Sequence, residues 1–301
     1  MLILNLAKKA NHTWGRVIDE HFLDTSVAHP MLLGTTAYKR YFASQFGDDP
    51  CYISKYVQME FKRTYLTNVI ALYFTLDLPT MQTIGDAFAH WSNKFKTSEL
   101  KAVIQLASQL FSTQMIDVTR VQDKSKALRE LGRYIKRIEL KLRRKFKDVG
   151  KDSTRCARAL VPLKVEPENM GEGFRQFIDA FDDVETCRSK CRIDDFILKR
   201  YQPQVEAYVK LAAKLPRDRA NLGFISIADN PGQILKKGAM ACSCKRCEHI
   251  GDAVIALDAA RNMRLEHTDN SFNHLCPSIG QPHQQHPSAV QVVKIGSEEK
   301  P

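Results

Sequence analysis

The chain of 301 residues lacks any apolar run long enough to cross a membrane. The longest run, near residues 69–78, contains Asp77 and is far shorter than the roughly 20 residues that a membrane-spanning helix needs. A secretory signal is also missing, because the apolar start at 1–6 is followed by neither a longer apolar segment nor a small-residue cleavage site. These absences predict a cytoplasmic protein without a membrane partner.

Internal repeats are absent as well, and residues 81–186 show no strand-like alternation. A hydrophobic content of 44% and a charged content of 26% are globular values that exclude a disordered chain. We divide the sequence into a lead-in at 1–20, an α/β core at 21–80 and 187–276, a helical insertion at 81–186, and a loose tail at 277–301. The tail is rich in Pro, Gln and His, and its HQQH stretch is interpreted as polar tail in preference to a metal chelator.

Positive charge is concentrated in one short part of the chain. The net charge is +11, and residues 120–151 alone hold 13 Lys/Arg against four Asp/Glu. A helical pattern at 128–146 places Leu and Ile on one stripe and cations on the remaining surface. Such a helix either has an ordinary solvated face or binds phosphates. The candidate nucleic-acid contacts are Arg133, Lys136, Arg137, Lys141, Arg144 and Lys145.

Two acids stand in an unusual position within the first half of the core. Asp24 follows apolar residues in a short predicted strand at 21–27, where aspartate is a poor strand former. The alternative is that Asp24 caps the next helix. Glu60 lies between Met59 and Phe61 in a long helical pattern at 51–76, where a solvent-exposed position is the simple interpretation.

Two further acids lie in the segment 242–272. Asp252 is predicted to cap an amphipathic helix, and Asp269 follows a short predicted strand at 264–268. Ligands bind at the carboxyl ends of strands in open α/β sheets, so this unit carries both acids to one sheet edge. Asp258, six residues after Asp252, is a reserve candidate. A separate strand is predicted at 224–228.

The order LDTS, a helical ME, GDAVIAL and HTDNSF resembles that of the PIN-domain nucleases, which are metal-dependent, mostly RNA-cleaving enzymes and include toxins of bacterial toxin–antitoxin pairs. The resemblance implies a parallel sheet flanked by helices, an RNA or DNA substrate, and a protein inhibitor in the toxin-type members. It covers about 21–76 and 190–276, and the helical insertion and the cysteines depart from it. Carried over by motif, the acidic metal-binding set is Asp24, Glu60, Asp252 and Asp269, with Thr25, Ser26 and Ser271 as helpers.

The chemistry of such a set is consistent with a divalent cation. Clustered carboxylates repel one another unless a cation lies between them. Hard oxygen ligands favour Mg²⁺ or Mn²⁺, which lower the pKa of a bound water and stabilise charge on a phosphate. Together with the resemblance to PIN-domain nucleases, this chemistry predicts a divalent-metal-dependent endoribonuclease. The alternatives are a non-catalytic nucleic-acid-binding protein of the same fold and a DNA nuclease or phosphatase.

Five cysteines have spacings that suggest a second, structural metal. A pair at CxxxC and a group at CxCxxC together supply the four thiolates of a tetrahedral zinc site. The alternatives are buried thiols and an iron–sulfur cluster or redox pair. The preferred zinc ligands are Cys187, Cys191, Cys244 and Cys247, with Cys242 as a substitute.

Overall fold

A computed structural model describes residues 20–34, 36–94, 98–149, 156–183, 193–219, 221–237, 250–259, 263–288 and 291–292. Five short strands form one sheet in the order β3-β2-β1-β4-β5, and every neighbouring pair is parallel. The α/β class with a parallel sheet flanked by helices is therefore confirmed. The strands are β1 (His21–Leu23), β2 (Cys51–Ile53), β3 (Lys147–Asp148), β4 (Arg264–His267) and β5 (His283–Gln285).

The helices before the insertion connect the first strands. Their bounds are α1 (Thr25–Leu33), α2 (Thr36–Phe46), α3 (Lys55–Phe61) and α4 (Thr67–Asp77). A π-helical segment, Lys62–Leu66, joins α3 to α4, so the chain is helical without a break from Lys55 to Asp77. The side chain of Ser54 caps this long helix by accepting from the amide of Val57.

The remaining helices form most of the insertion and return the chain to the sheet. They are α5 (Ile84–Lys94), α6 (Ser98–Thr113), α7 (Lys124–Lys145), α8 (Ala157–Leu160), α9 (Met170–Asp182), α10 (Ile193–Arg200), α11 (Gln202–Ala212), α12 (Leu222–Lys237), α13 (Gly251–Asp258) and α14 (Phe272–Ser278). Within the described ranges, no helix is long and apolar enough to cross a membrane.

The helical insertion is built into the core. β3 lies inside the predicted insertion yet pairs with β2, with Tyr52 opposite Lys147. The apolar stripe of α7 is buried as predicted at Leu131, Ile135, Ile138 and Leu142. Lys62 is also buried and donates to the carbonyl oxygens of Ala159 and Val161 at 2.9 and 2.6 Å. The insertion and the sheet therefore share one apolar core.

Several predicted elements have different limits in the structure. β1 ends at Leu23, and Thr25 to Val27 belong to α1. The predicted helix at 51–76 begins with strand β2, and the predicted strand at 224–228 lies inside α12. Three apolar residues such as CYI carry no periodicity that separates a strand from a helix. This ambiguity explains the first error.

The prediction of a loose tail is wrong for the part that the structure describes. His283–Gln285 forms β5 and pairs in register with Leu265–His267 of β4. His286 is buried beside this pair. The polar composition predicts a loose tail, but the histidines of HQQH form hydrogen bonds within the fold, His283 with His267 and His286 with Glu266. The lead-in at 1–19 and the end of the tail at 293–301 lie outside the described residues.

The chain changes direction at the centre of the sheet. From β1 it proceeds to β2 and β3 on one side, and it returns to β4 and β5 on the other. The carboxyl ends of β1 and β4 therefore flank the point where strand order reverses. In open α/β sheets this crevice is the usual ligand-binding position.

Candidate active site

Four acids come from four separate elements around this crevice. Asp24 follows β1 and caps α1, accepting a hydrogen bond from the amide of Ser26 at 3.0 Å. Asp269 follows β4, and its carboxylate accepts from the amide of Ser271 at 2.8 Å. Glu60 lies in α3, and Asp252 lies in the first turn of α13. We call Asp24, Glu60, Asp252 and Asp269 the acid cluster.

The three predicted helper hydroxyls each contact a carboxylate of the acid cluster. Thr25 donates to Glu60, and Ser26 donates to Asp24. Ser271 donates to Asp252 at 2.7 Å. These hydrogen bonds join residues up to 35 positions apart, and they fix the carboxylates without neutralising their charge.

Asp252 does not cap its helix, contrary to the sequence prediction. The N-cap position of α13 belongs to Ile250, whose side chain makes no capping bond. Asp252 is the second residue of the helix and its carboxylate faces Ser271 instead. Asp258, the reserve candidate, is buried at the other end of α13.

Burial and mutual repulsion raise the pKa values of Asp24, Glu60 and Asp252. Burial, together with the charges of Asp24 and Asp252, raises the pKa of Glu60 to about 8, against partial lowering by Thr25 and Arg63. Burial together with Asp24 raises the pKa of Asp252 to about 7. The pKa of Asp24 is raised by burial too, offset by hydrogen bonds from Ser26, with Asp269 adding repulsion. Thus each acid of the cluster interacts electrostatically with at least one other.

A close contact fixes the position of Glu60. A Cβ atom added to Gly251 would lie 2.9 Å from Oε1 of Glu60 and 3.1 Å from Cε1 of Tyr56. Real Cβ atoms essentially never lie within 3.0 Å of another atom, so only glycine fits at position 251 without a shift of its neighbours. Gly251 thereby lets α13 approach α3 closely enough for Asp252 to interact with Glu60.

The donor set fits a hard divalent cation by its chemistry. Carboxylate oxygens are the ligands that Mg²⁺ and Mn²⁺ prefer, and here they come from four elements and repel one another. No three His, Cys, Asp or Glu side chains among the described residues already have the arrangement of a metal site. Metal binding by Asp24, Glu60, Asp252 and Asp269 stays a prediction.

The predicted nucleic-acid contacts on α7 are exposed to solvent, but α7 packs against the side of the Lys55–Asp77 helix that faces away from Glu60. Lys62 forms an ion pair with Glu139 of α7 at 3.2 Å. Because residues two apart on a helix point roughly 200° away from each other, Lys62 and Glu60 face opposite sides. The six predicted contact residues Arg133, Lys136, Arg137, Lys141, Arg144 and Lys145 are all exposed.

Some of these cations already have partners. Arg133 forms an ion pair with Glu130 at 2.6 Å, and Lys145 donates to the carbonyl oxygen of Met31 at 2.6 Å. Lys136, Arg137 and Arg144 form no ion pair with any residue that the structure describes. Binding of nucleic acid by this face stays a prediction.

The predicted zinc ligands cannot be placed. Cys187, Cys191, Cys242, Cys244 and Cys247 all lie outside the described residues, so structural zinc remains a prediction. Of the other cysteines, Cys51 is half-buried, and Cys156 and Cys276 are buried.

Sequence reasoning missed a second group of buried polar residues. Glu266 on β4 is fully buried, and its carboxylate contacts His21 at 2.7 Å, His286 at 2.6 Å and Arg264 at 2.7 Å. We call Glu266, His21, His286 and Arg264 the Glu266 network. A glutamate within the strand pattern RLEH was the available signal, because a buried acid requires a partner. Two partners are 245 and 20 residues away, which the local pattern does not show.

Comparison with known proteins adds no identification. No family model, no curated protein and no solved structure matches the chain.

Proposed function

We propose that the protein is a PIN-like, divalent-metal-dependent endoribonuclease. The observation that carries this proposal is the meeting of four acids from four elements at the strand-order reversal of a parallel sheet. The mutual repulsion of these carboxylates, which adds to burial in raising the pKa values of Glu60 and Asp252, would be relieved by a bound cation.

In this proposal the acid cluster holds Mg²⁺ or Mn²⁺, which would activate a water and stabilise charge on the scissile phosphate. The roles of this chain's own residues follow from their contacts. Thr25, Ser26 and Ser271 orient the carboxylates of Glu60, Asp24 and Asp252 by donating to them. Gly251 sets the separation between α3 and α13.

The exposed basic face of α7 favours a nucleic acid over a small phosphate ester as the substrate. A chain with a net charge of +11 attracts polyanions, and α7 presents Lys136, Arg137 and Arg144, which form no ion pair with the described part of the chain. The same face also supports the second candidate, a nucleic-acid-binding protein without catalysis. The two differ in the acid cluster, because a binder does not need it.

The deciding experiment measures RNA cleavage with and without Mg²⁺ or Mn²⁺. We expect cleavage by the wild type only with metal, and a loss of at least about a hundredfold in Asp24→Asn and Asp252→Asn, since each removes a ligand charge. The matched control is Asp48→Asn, an exposed loop position. Full activity in both variants would contradict the proposal. RNA binding without cleavage by the wild type would favour the second candidate.

A further inference from the structure

A polar groove lies between the α1–α2 turn and α6. Its volume is about 670 Å³. The residues that line it carry hydroxyls, amides and one cation, and none of them is acidic. The main lining side chains are Thr36, Lys39, Gln105, Ser108, Gln109 and Ser112.

Cations from another helix lie beside this groove. Lys39 has a lowered pKa through burial and the nearby charge of Lys141. Lys145 has a lowered pKa through burial and the charge of Lys39. Since Lys145 also donates to the Met31 carbonyl, the last turns of α1 and α7 are in direct contact. Lys39 therefore lines the groove within electrostatic range of Lys141 and Lys145, and an anion would stabilise these three lysines.

We propose that this α2–α6 groove binds the sugar–phosphate backbone of a single-stranded nucleic acid, with Lys39 and Lys141 contacting phosphates. Ser, Thr, Gln and Lys are typical donors to phosphate and sugar oxygens, and they position a strand without reading its sequence. The inference rests on the proposed function, because it makes the groove an outer binding site for the same substrate.

The length of α1 relates the groove to the acid cluster. Asp24 caps the first turn of α1, and Gly34, which follows its last turn, lines the groove. Nine helical residues span about 14 Å, so the two sites lie at opposite ends of one short helix. The substrate class is therefore a single strand of several nucleotides, and a mononucleotide would be too short to reach both sites.

Binding is measured in EDTA with a fluorescent oligouridylate of about 12 nucleotides, so that cleavage plays no part. Each lost phosphate contact lowers the salt slope by about 0.7, which weakens binding about fivefold at 0.1 M salt. Lys39→Gln/Lys141→Gln should therefore bind about 25-fold more weakly, with a slope lower by about 1.4. The control is Lys210→Gln/Lys214→Gln, which removes two exposed charges from another surface. Equal affinities and slopes in the two double variants would overturn the proposal.

A near-isosteric change tests the groove itself. Gln109→Glu places a negative charge in the α2–α6 groove and should weaken binding about fivefold at 0.1 M salt. Gln233→Glu makes the same change in a groove on α12 and should leave binding unchanged. Competition by polyglutamate as strong as that by RNA at matched charge would overturn the assignment to nucleic acid.

The outcomes separate this inference from the proposed function. Weakened binding in Lys39→Gln/Lys141→Gln, with no metal-dependent cleavage by the wild type, would retain the groove and reject the nuclease. Cleavage that requires Asp24, together with unchanged binding in the groove variants, would retain the nuclease and reject the groove.

Discussion

Two sites with an acidic residue lie within a few residues of each other at the end of β4, and the pKa values of their acids are shifted in opposite directions. Glu266 lies in the strand, and Asp269 of the acid cluster follows three residues later. Burial raises the pKa of Glu266, but hydrogen bonds from His21, His286 and Arg264 outweigh it and leave the pKa at about 2. Glu60 in the acid cluster instead has a pKa of about 8.

The difference comes from the partners, because burial raises the pKa of both Glu266 and Glu60. The Glu266 network surrounds one carboxylate with two imidazoles and a guanidinium. In the acid cluster the carboxylates receive hydrogen bonds from neutral hydroxyls and face one another, and Arg63 only partly offsets this for Glu60. The carboxylate of the first group already has its partners within the fold, whereas the carboxylates of the second repel one another, and we propose that a cation relieves this repulsion. Burial alone therefore does not distinguish a structural acid from a functional one.

The largest expected effect on stability comes from a change in the Glu266 network. Glu266→Gln should lower the free energy of unfolding by about 3–5 kcal/mol at pH 7, because it leaves His21, His286 and Arg264 without their buried counter-ion. Urea denaturation of the metal-free protein measures this change. Glu130→Gln, which removes a partner of exposed Arg133, should cost less than about 1 kcal/mol. Similar losses of unfolding free energy in Glu266→Gln and Glu130→Gln would contradict the structural importance of the Glu266 network.

The pH dependence of the wild type checks the same interaction. The folded-state pKa of Glu266 is about 2 and its ordinary value is 4.5, so its ionised form stabilises the fold above pH 4.5. This contribution, about 3 kcal/mol, is lost as the pH falls from about 4.5 to 2. Glu266→Gln should lack this part of the acid transition.

For Glu60 we expect stability to change with pH in the opposite direction. Its folded-state pKa of about 8 lies above the ordinary 4.5, so the folded protein keeps a proton that the unfolded chain releases between these values. The metal-free wild type should therefore lose stability as the pH rises from about 4.5 to 8. Glu60→Gln removes the ionisation and should be more stable than the wild type at pH 8 by on the order of 4 kcal/mol.

Metal binding provides the control for this pH dependence of stability. Saturating Mg²⁺ stabilises only a protein that binds it, so it should raise the unfolding midpoint of the wild type more than that of Glu60→Gln. Urea denaturation at pH 5 and pH 8, in EDTA and in MgCl₂, makes the comparison. A Glu60→Gln protein as destabilised in EDTA as Glu266→Gln would show that the acid cluster is structural.

Sequence alone was sufficient for features that local pattern encodes. The stripe of α7 follows helical periodicity, and strand β4 was placed within one residue. The acids Asp24, Glu60, Asp252 and Asp269 were selected from short motifs in a recognisable order. Their approach depends on the order of strands in the sheet, which brings the ends of β1 and β4 together.

The remaining features depend on contacts between distant residues. β5 consists of polar residues, and it forms a strand because β4 offers a free edge and Glu266 binds His286. β2 is three residues long and adjoins a helix, so no period separates the two. The α2–α6 groove joins residues 34–39 to 105–113, whose proximity no local pattern records.

The smallest expected effect tests how closely the acid cluster is positioned. Gly251→Ala would bring a methyl group to 2.9 Å from the Glu60 carboxylate and 3.2 Å from the Tyr56 hydroxyl, so that carboxylate must move by a few tenths of an ångström. A displacement of about 1 Å in a catalytic group can cost a hundredfold, so we expect a loss of about tenfold in metal-dependent cleavage. Stability should change by less than about 1 kcal/mol, because alanine favours the helix over glycine and offsets the crowding.

Gly223→Ala provides the matched control for this change. Gly223 is the second residue of α12 and has open space around its added Cβ, so the variant gains helix propensity without a contact. It should cleave RNA like the wild type. The acid transition of Glu266 should be unchanged in both variants, because neither alters the Glu266 network. Equal cleavage by both variants would show that the position of Glu60 is not critical. Reduced cleavage in Gly251→Ala alone would connect the close packing of α13 against α3 to the chemistry of the acid cluster.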